Sequence, residues 1–456
     1  MEIKRMIAAV SAAALLTGCS STKPSDSSEH PTATATTATQ VESTTQAEIS
    51  TVSDTDIVEL SRKLCTDMAE GNYKTSFDLF SDNMKAAVSE EALTSSWEQV
   101  KAVTGEFKEL LDTQHETDPN SGMSMTTTNL RFENKNLVIY IAFSTERLIE
   151  GMYMNFTQDE ITPEDNDIYT ETSIKVGEYE LDGMLTMPKN IEKPPIVILI
   201  QGSGQTNLNE DAGICAPFKD ISHDLAEKGI ATIRYNKRFF QYPELGTDDV
   251  TVDDEVLNDA DAAVKLAQQY ADDGKVDGIF VLGHSLGGML APSIASRNSA
   301  VKGIISLAGT PRKLGEVWLE QLAPQLEAAE GDTKKYVEEL IDQIETMRDK
   351  RELKEKKNPE PYNISFGVPY WTSLDAIDPA GVARELDIPM LFLQGSADTQ
   401  VFADKDFAMW KEKLSGRPKC QFKLYDGLGH FFDCENGHIN SHVIEDTAEF
   451  IKASLK

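Results

Sequence analysis

The run Val281-Leu282-Gly283-His284-Ser285-Leu286-Gly287-Gly288-Met289-Leu290-Ala291-Pro292 constrains this chain more than any other stretch. Ahead of it, Gly278-Ile279-Phe280-Val281-Leu282 is an apolar run of strand length, and Leu286 to Arg297 behind it are small and helix-compatible. A backbone that passes from strand to helix so quickly strains its central residue and tolerates little bulk two residues to either side. Gly283 and Gly287 meet that demand. The turn lifts the Ser285 hydroxyl clear, beside the N–H groups that open the helix, so the spacing predicts a nucleophilic serine. Chance assembly of five loosely constrained residues is the competing reading, and the strand and helix flanks argue against it.

At 456 residues the chain holds a large core plus accessory parts. Its 43 basic and 76 acidic residues give a formal charge of -33, which repels phosphate backbones, so nucleic acid is not an expected partner. Lys4 and Arg5 precede an apolar run, Ile7 to Leu16, that is too short to span a bilayer. The following Leu16-Thr17-Gly18-Cys19 resembles the lipobox of bacterial lipoproteins. That resemblance implies a signal peptide over residues 1–18, a diacylglycerol on Cys19, and a protein anchored to the cell membrane and facing outside the cytoplasm. An ordinary secretory signal is the alternative. Residues 19–51, rich in Ser, Thr and Ala, have no means of forming a core and read as a tether. As a flexible coil it reaches roughly 30 Å, from about 5–6 Å times the root of its length.

Besides Cys19 there are Cys65, Cys215, Cys420 and Cys434. Cys420 and Cys434 would bracket the loop carrying His430 if joined, and buried free thiols fit the sequence equally well. No CxxC pair, HExxH or EF-hand spacing occurs, so neither metal nor cofactor is expected.

Ile57, Leu60, Leu64 and Met68 share a helical face, Gly71-Asn72 stops that helix, and further helices follow through Phe77 to Met84 and Leu93 to Trp97. Strands are then predicted over Phe107–Thr113, Met123–Phe132, Leu137–Phe143 and Met152–Phe156, with a turn at Asp118–Gly122. Residues 52–158 thus read as a small α+β domain. Gly71-Asn72-Tyr73 through Phe80, with Trp97 and Gly105-Glu106-Phe107, resemble an uncharacterised accessory domain found ahead of secreted hydrolases, itself similar to the cone-shaped fold of nuclear-transport-factor and dehydratase type.

The acidic stretch Gln158–Asp167 marks a boundary, and strands alternate with helices over residues 168–456. The strands fall at Tyr179–Met187, Pro195–Ile200, Ile230–Tyr235, Gly278–Leu282, Gly303–Ala308, Met390–Gln394 and Cys420–Tyr425. The alternation predicts a mostly parallel sheet covered on both faces. Residues from about 313 to 387, with an apolar stripe at Val337, Leu340, Ile341 and Ile344 and a charged run at Arg348–Lys357, form an insertion placed to cap the site.

From about Ile174 to the end the chain resembles an α/β-hydrolase, within it the serine-aminopeptidase-like and esterase branch of bacterial exported enzymes. The residues that carry this are Gly202-Ser203-Gly204, Arg234-Tyr235-Asn236-Lys237-Arg238, the Ser285 turn with Ala291-Pro292, Gln394-Gly395-Ser396-Ala397-Asp398 and Gly429-His430. The resemblance implies an α/β fold with a helical cap and the chain order Ser, Asp, His. Chemistry asks for the same set. A serine hydroxyl needs a neutral imidazole to take its proton, and that imidazole needs a carboxylate to fix its tautomer. His430 and Asp398 are the candidates, with His438 as rival base and Asp375 and Asp378 as weaker acids. The N–H groups of Leu286 and Ser203 are expected to hold the oxyanion, in a loop that Gly202 and Gly204 let approach closely. Two positions depart from the family pattern: Gln201 stands where His is usual, and Asn236-Lys237-Arg238-Phe239 replaces an Asp-Lys-Arg-Gly run.

The expected activity is hydrolysis of a small-molecule carboxylic ester through an acyl-enzyme, with Phe366, Tyr370 and Trp371 as substrate walls or aromatic core. An aminopeptidase of the same fold would need acidic partners for its substrate amine, such as Glu316, Glu320 and Glu327. A surface binding protein with a vestigial triad is the third reading. Nothing in the sequence points to one oligomeric state.

Overall fold

The structure, a computed structural model, describes residues 54–456 apart from 118–121, 134, 157–160, 213–214, 330, 352–365 and 433–436. The expected signal peptide, Cys19, the expected tether, most of the expected Asp118–Gly122 turn, Cys434 and much of the Arg348–Lys357 run therefore lie outside the described residues. The chain divides into two compact units, Met1–Thr157 and Gln158–Lys456.

In the first unit, helices α1 (Asp54–Ala69), α2 (Tyr73–Asp78), α3 (Asp82–Ala87) and α4 (Glu90–Thr104) precede an antiparallel sheet. Its strands, β1 (Phe107–Thr117), β2 (Ser124–Phe132), β3 (Leu137–Phe143) and β4 (Ile149–Phe156), pair in chain order. Ser81 and Ser89 start α3 and α4 by accepting the Met84 and Ala92 N–H groups at 3.3 and 3.1 Å. Ile57, Leu64 and Met68 of α1 are buried with Trp97, Leu130, Ile139 and Phe143. Ser61, Thr126 and Thr128 are buried beside them and satisfy one another, Ser61 Oγ lying 2.7 and 3.1 Å from the two threonine hydroxyls. Strand β4 starts at Ile149, three residues earlier than its alternation suggested, because a turn at Ser144 delivers Ile149 N–H onto the Leu79 carbonyl. Cys65 and Cys420 are free thiols, and burial pushes the Cys65 thiol up to about 12 despite hydrogen bonding to Thr128 and Ser61.

The second unit is built on eight strands: β5 (Tyr169–Val176), β6 (Leu181–Pro188), β7 (Ile196–Ile200), β8 (Ala231–Tyr235), β9 (Ile279–His284), β10 (Val301–Leu307), β11 (Met390–Gly395) and β12 (Cys420–Tyr425). Their order is β12-β11-β10-β9-β7-β8-β6-β5, parallel from β12 to β8 and antiparallel across β6 and β5. Between them run α5 (Pro217–Glu227), α6 (Arg238–Gln241), α7 (Asn258–Asp272), α8 (Leu286–Arg297), α9 (Leu314–Ala328), α10 (Gly331–Arg348), α11 (Val368–Asp375), α12 (Pro379–Glu385), α13 (Ala408–Lys413) and α14 (Ser441–Ser454).

Strand periodicity sorts the side chains into two cores. Ile196, Ile198 and Ile200 point to one face, where α7, α8 and the insertion helices pack; Val197 and Leu199 point to the other, under α5 and α14. The sheet is therefore covered on both faces, as the apolar strand runs predict. Helices α9 to α12 all belong to the insertion between β10 and β11.

Strand β5 has no counterpart in the sequence reading. Its residues, Tyr-Thr-Glu-Thr-Ser-Ile-Lys-Val, are mostly polar because it is an edge strand with one side in water. What pins it is a buried polar knot. Glu171 takes hydrogen bonds from Thr186 of β6 at 3.0 Å and from the Glu164 N–H at 3.1 Å, meets His223 of α5 at 3.0 Å, and pairs with Arg234 of β8 at 2.8 Å. Burial pushes the Glu171 carboxyl up, but His223 and Arg234 outweigh it and hold the group down to about 2 from an ordinary value near 4.5. A carboxylate so depressed adds stability that is fully present above pH 4.5 and is lost as pH falls towards 2. Glu171→Gln should therefore cost on the order of 2–3 kcal/mol in urea unfolding at pH 7, with the deficit shrinking steadily below pH 4.5.

Candidate active site

Ser285 sits where β9 gives way to α8, at φ 52° and ψ −113°, a left-handed conformation that a serine adopts only under constraint. Its N–H is held by the Leu307 carbonyl of β10 at 2.9 Å. A Cβ on Gly283 would stand 2.1 Å from the Gly287 carbonyl oxygen, and one on Gly287 2.1 Å from that of Ile200. The glycine spacing thus records backbone packed on backbone.

His430 lies in the loop between β12 and α14, and its Nδ1 is 2.8 Å from Asp398 Oδ2. Asp398, just past β11, also accepts the Gln400 and Val401 N–H groups at 2.8 and 2.9 Å and Gln394 Nε2 at 2.8 Å. Burial alone would raise the Asp398 carboxyl; His430 and the two N–H groups overcome that and hold it below the usual carboxylate range. An ionised carboxylate on Nδ1 fixes the proton there and leaves Nε2 as the free base. Ser285 and His430 line one cavity. Among the described residues no hydrogen bond joins the hydroxyl to the imidazole; such contacts commonly tighten only when substrate arrives.

The rivals are engaged elsewhere. His438 is exposed against Asp220 and His442 against Glu445 on α14, both at 3.1 Å. Asp375 pairs with Lys350, and Asp378 caps α12 by accepting the Gly381 N–H at 2.9 Å.

The loop after β7 approaches the serine so closely that a Cβ on Gly202 would lie 3.0 Å from Ser285 Cβ. Ser203 lines the cavity and Gly204 does not. Leu286 is the first residue of α8, so its N–H has no acceptor within the helix. The Gly202 N–H is already bound, by Glu210 Oε1 at 2.5 Å. Gln201, in place of the usual histidine, braces the loop by donating to the Tyr235 and Asn207 carbonyls. Lys237 donates to the Gly202 carbonyl at 2.9 Å and pairs with buried Glu255 at 2.7 Å.

Sequence reasoning missed Glu210 and set His284 aside. Buried His284 meets Glu210 Oε1 through Nδ1 at 3.0 Å and the His430 carbonyl through Nε2 at 3.1 Å. Burial alone would depress this imidazole, but the Glu210 carboxylate beside it leaves it raised. The one signal was a histidine closing an otherwise apolar strand.

The aromatic wall requires correction. Phe366, Tyr370 and Trp371 are absent from the cavity lining; they are buried in the core, with Tyr370 hydroxyl on Glu255, Phe366 edge-on to Phe239 and Trp371 edge-on to Trp318. Tyr370 and Trp371 on α11, and Phe366 just ahead of it, pack into the core, and the residues of the insertion that do reach the cavity are Leu314, Val317, Trp318 and Gln321 of α9. Of the acids weighed for an amine, Glu316 and Glu327 are exposed and Glu320 is bound by Arg312 and Lys405, each at 2.9 Å.

Comparison with known proteins follows these features. Residues 211–435 match the family described as serine aminopeptidase, S33, and residues 61–152 match one described as a protein of unknown function, DUF3887. Esterase EstD of Thermotoga maritima is 30% identical over 400 residues, spanning 83% of this chain and 91% of EstD. The chain belongs to this esterase family of α/β-hydrolases. The enzyme's looser likenesses among solved structures include Est1E from Butyrivibrio proteoclasticus, 19% identical with a TM-score of 0.42 over 62% of this chain and 98% of that one. The Pyrococcus furiosus esterase Pf2001 is 14% identical with a TM-score of 0.43, over 66% and 96%.

The glycine packing supplies its own check. Gly283→Ala drives a methyl into the Gly287 carbonyl, which neither strand nor helix can yield without losing the turn. Thermal and urea unfolding should show a loss of about 3 kcal/mol or more, with ester hydrolysis lost in whatever protein still folds.

Proposed function

We propose that the enzyme hydrolyses carboxylic esters with Ser285 as nucleophile, His430 as general base and acid, and Asp398 as the group that orients and stabilises the imidazole. The observation that carries this reading is the 2.8 Å Asp398–His430 hydrogen bond on a cavity shared with a serine held at positive φ. Ser285 Oγ attacks the ester carbonyl while its proton passes to His430 Nε2. The carbonyl oxygen becomes an oxyanion held by the N–H groups of Leu286 and Ser203, each contributing about 3 kcal/mol to the transition state. Collapse breaks the bond to the alcohol oxygen, which takes the proton from the imidazolium and departs. Water, deprotonated by the same imidazole, then attacks the acyl-serine and releases the carboxylic acid.

The ester reading is favoured over an amide one by the three acids weighed for a substrate amine: Glu316 and Glu327 are exposed, and Glu320 is already paired with Arg312 and Lys405. A fluorophosphonate probe should label the wild type and leave Ser285→Ala unlabelled. Butyrate ester turnover should fall by about 10³-fold or more in Ser285→Ala. Faster turnover of aminoacyl amides than of esters would instead make the enzyme a peptidase.

The proposed setting is the outer face of a cell membrane, with Cys19 lipidated and residues 19–51 as tether; the support for it is the Leu16-Thr17-Gly18-Cys19 run after a short basic and apolar leader. Intact-mass measurement on membrane-extracted protein should find a diacylglyceryl group on a chain that begins at Cys19, and Cys19→Ala should move the enzyme to the soluble fraction.

A further inference from the structure

The loop that follows β7 leaves three polar side-chain atoms of the cavity lining without a hydrogen-bond partner among the described residues: Ser203 Oγ, Thr206 Oγ1 and Glu210 Oε2. Gln205 Oε1 is likewise unpartnered but lies outside that lining. Glu210 is the telling case, since it is 4% exposed and a buried carboxylate oxygen without a donor is costly. Its other oxygen is fully occupied, by the Gly202 N–H and by His284.

The protons in this corner follow from the contacts. His284 Nε2 faces a carbonyl oxygen, which only accepts, so Nε2 carries hydrogen. One more proton lies between Nδ1 and Glu210 Oε1, on whichever of the two atoms holds it. In both arrangements Oε2 carries lone pairs and no hydrogen. It lacks a donor, and the unpartnered hydroxyls of Ser203 and Thr206, residues of the same lining, can give or accept.

We infer that this corner binds a hydroxyl group of the substrate, so that the esters the enzyme takes by preference are hydroxylated a few bonds from the scissile carbonyl. The short distance follows from Gly202, whose missing Cβ would lie 3.0 Å from Ser285 Cβ and 3.2 Å from Glu210 Oε1. A hydroxyl donates to Oε2 and accepts from Ser203 or Thr206, giving the carboxylate oxygen its missing donor and one of the two hydroxyls an acceptor. An ammonium group cannot accept, and it would bring an extra charge into a corner whose acid and imidazole already share a proton. Leu314, Val317 and Trp318, which line the same cavity, suit the apolar remainder of such a molecule.

This inference rests on the serine-esterase reading, and matched esters separate the two. On the acyl side the series is ethyl 3-hydroxybutyrate, its 3-methoxy analogue and ethyl 3-methylbutyrate; on the alcohol side it is the 2-hydroxyethyl, 2-methoxyethyl and propyl butyrates. In at least one series wild-type kcat/KM should favour the hydroxyl ester by about tenfold or more over both companions, because a site built to receive a donor rejects analogues that lack it. Glu210→Gln keeps an oxygen towards Gly202 and His284 and turns an amide NH₂ to the cavity, so the methoxy ester should draw level with the hydroxyl ester or overtake it. Thr206→Val should weaken the hydroxyl preference without reversing it, and with the wild-type series it decides the matter if Glu210→Gln does not fold. No preference in either series, or the wild-type ranking retained in Glu210→Gln, overturns the hydroxyl subsite while leaving the serine mechanism standing if Ser285→Ala is inactive. Aminoacyl esters outrunning hydroxyl esters would assign the corner to an amine instead. A wild type that turns over no ester at all overturns both readings.

Discussion

Backbone-to-backbone contact at the end of β7 and the start of α8 is the constraint on which the site depends. With the Ile200 carbonyl standing where a side chain of Gly287 would be, the helix that follows Ser285 rests directly on the strand that precedes the Gly202–Ser203 loop. No side chain intervenes to be compressed or re-rotamered, so the separation between Ser285 and the Gly202–Ser203 backbone is set by contact of main chain on main chain. Donors such as those proposed for the oxyanion stabilise a transition state only to the extent that they stand still, and this contact holds the two segments that carry them.

Around that contact the unit buries charge in matched sets. Lys237 with Glu255, Arg238 with Asp259, Arg234 with Glu171 and Arg312 with Asp406 are all drawn from different segments of the chain. Such pairs return little net stability, because desolvation cancels most of the attraction, yet removing one partner strands the other. Their effect is to fix which loop lies against which. Lys237 fastens Gly202 to the element before α7, and Asp406, through Arg312 and Thr310, fastens the exit of β10 to the segment after Asp398. His284 with Glu210 belongs to the same pattern but reaches further, since it ties the Gly202 loop to the backbone of the His430 loop.

Legibility in the sequence followed the range of the interaction. The elbow could be read because its glycines answer a collision within a few residues, and the parallel strands because both of their faces are apolar. Asp398 and His430 could be singled out by what their side chains can do and by their order along the chain. Strand β5 was hidden by its polar composition, which reports its edge position and says nothing of the Arg234 and His223 that hold it. Glu210 was hidden because its partners lie far away in sequence, and its αL backbone, at φ 55°, leaves no mark that the letters show. The aromatics of α11 stayed open between two roles for a different reason: a Trp or Tyr in an insertion suits core and pocket equally, and only packing against Trp318 and Glu255 decides it.

Ser285, Asp398 and His430 all emerge from the same ends of neighbouring parallel strands, with β10 between the strand that leads to Ser285 and the one that leads to Asp398. The insertion departs from β10, which leads to none of these three residues, and returns at β11. The insertion residues that reach the cavity, Leu314, Val317, Trp318 and Gln321, thus stand on an excursion separate from the strands that position the proposed triad, so a substitution there can change which molecules are admitted without displacing those three side chains.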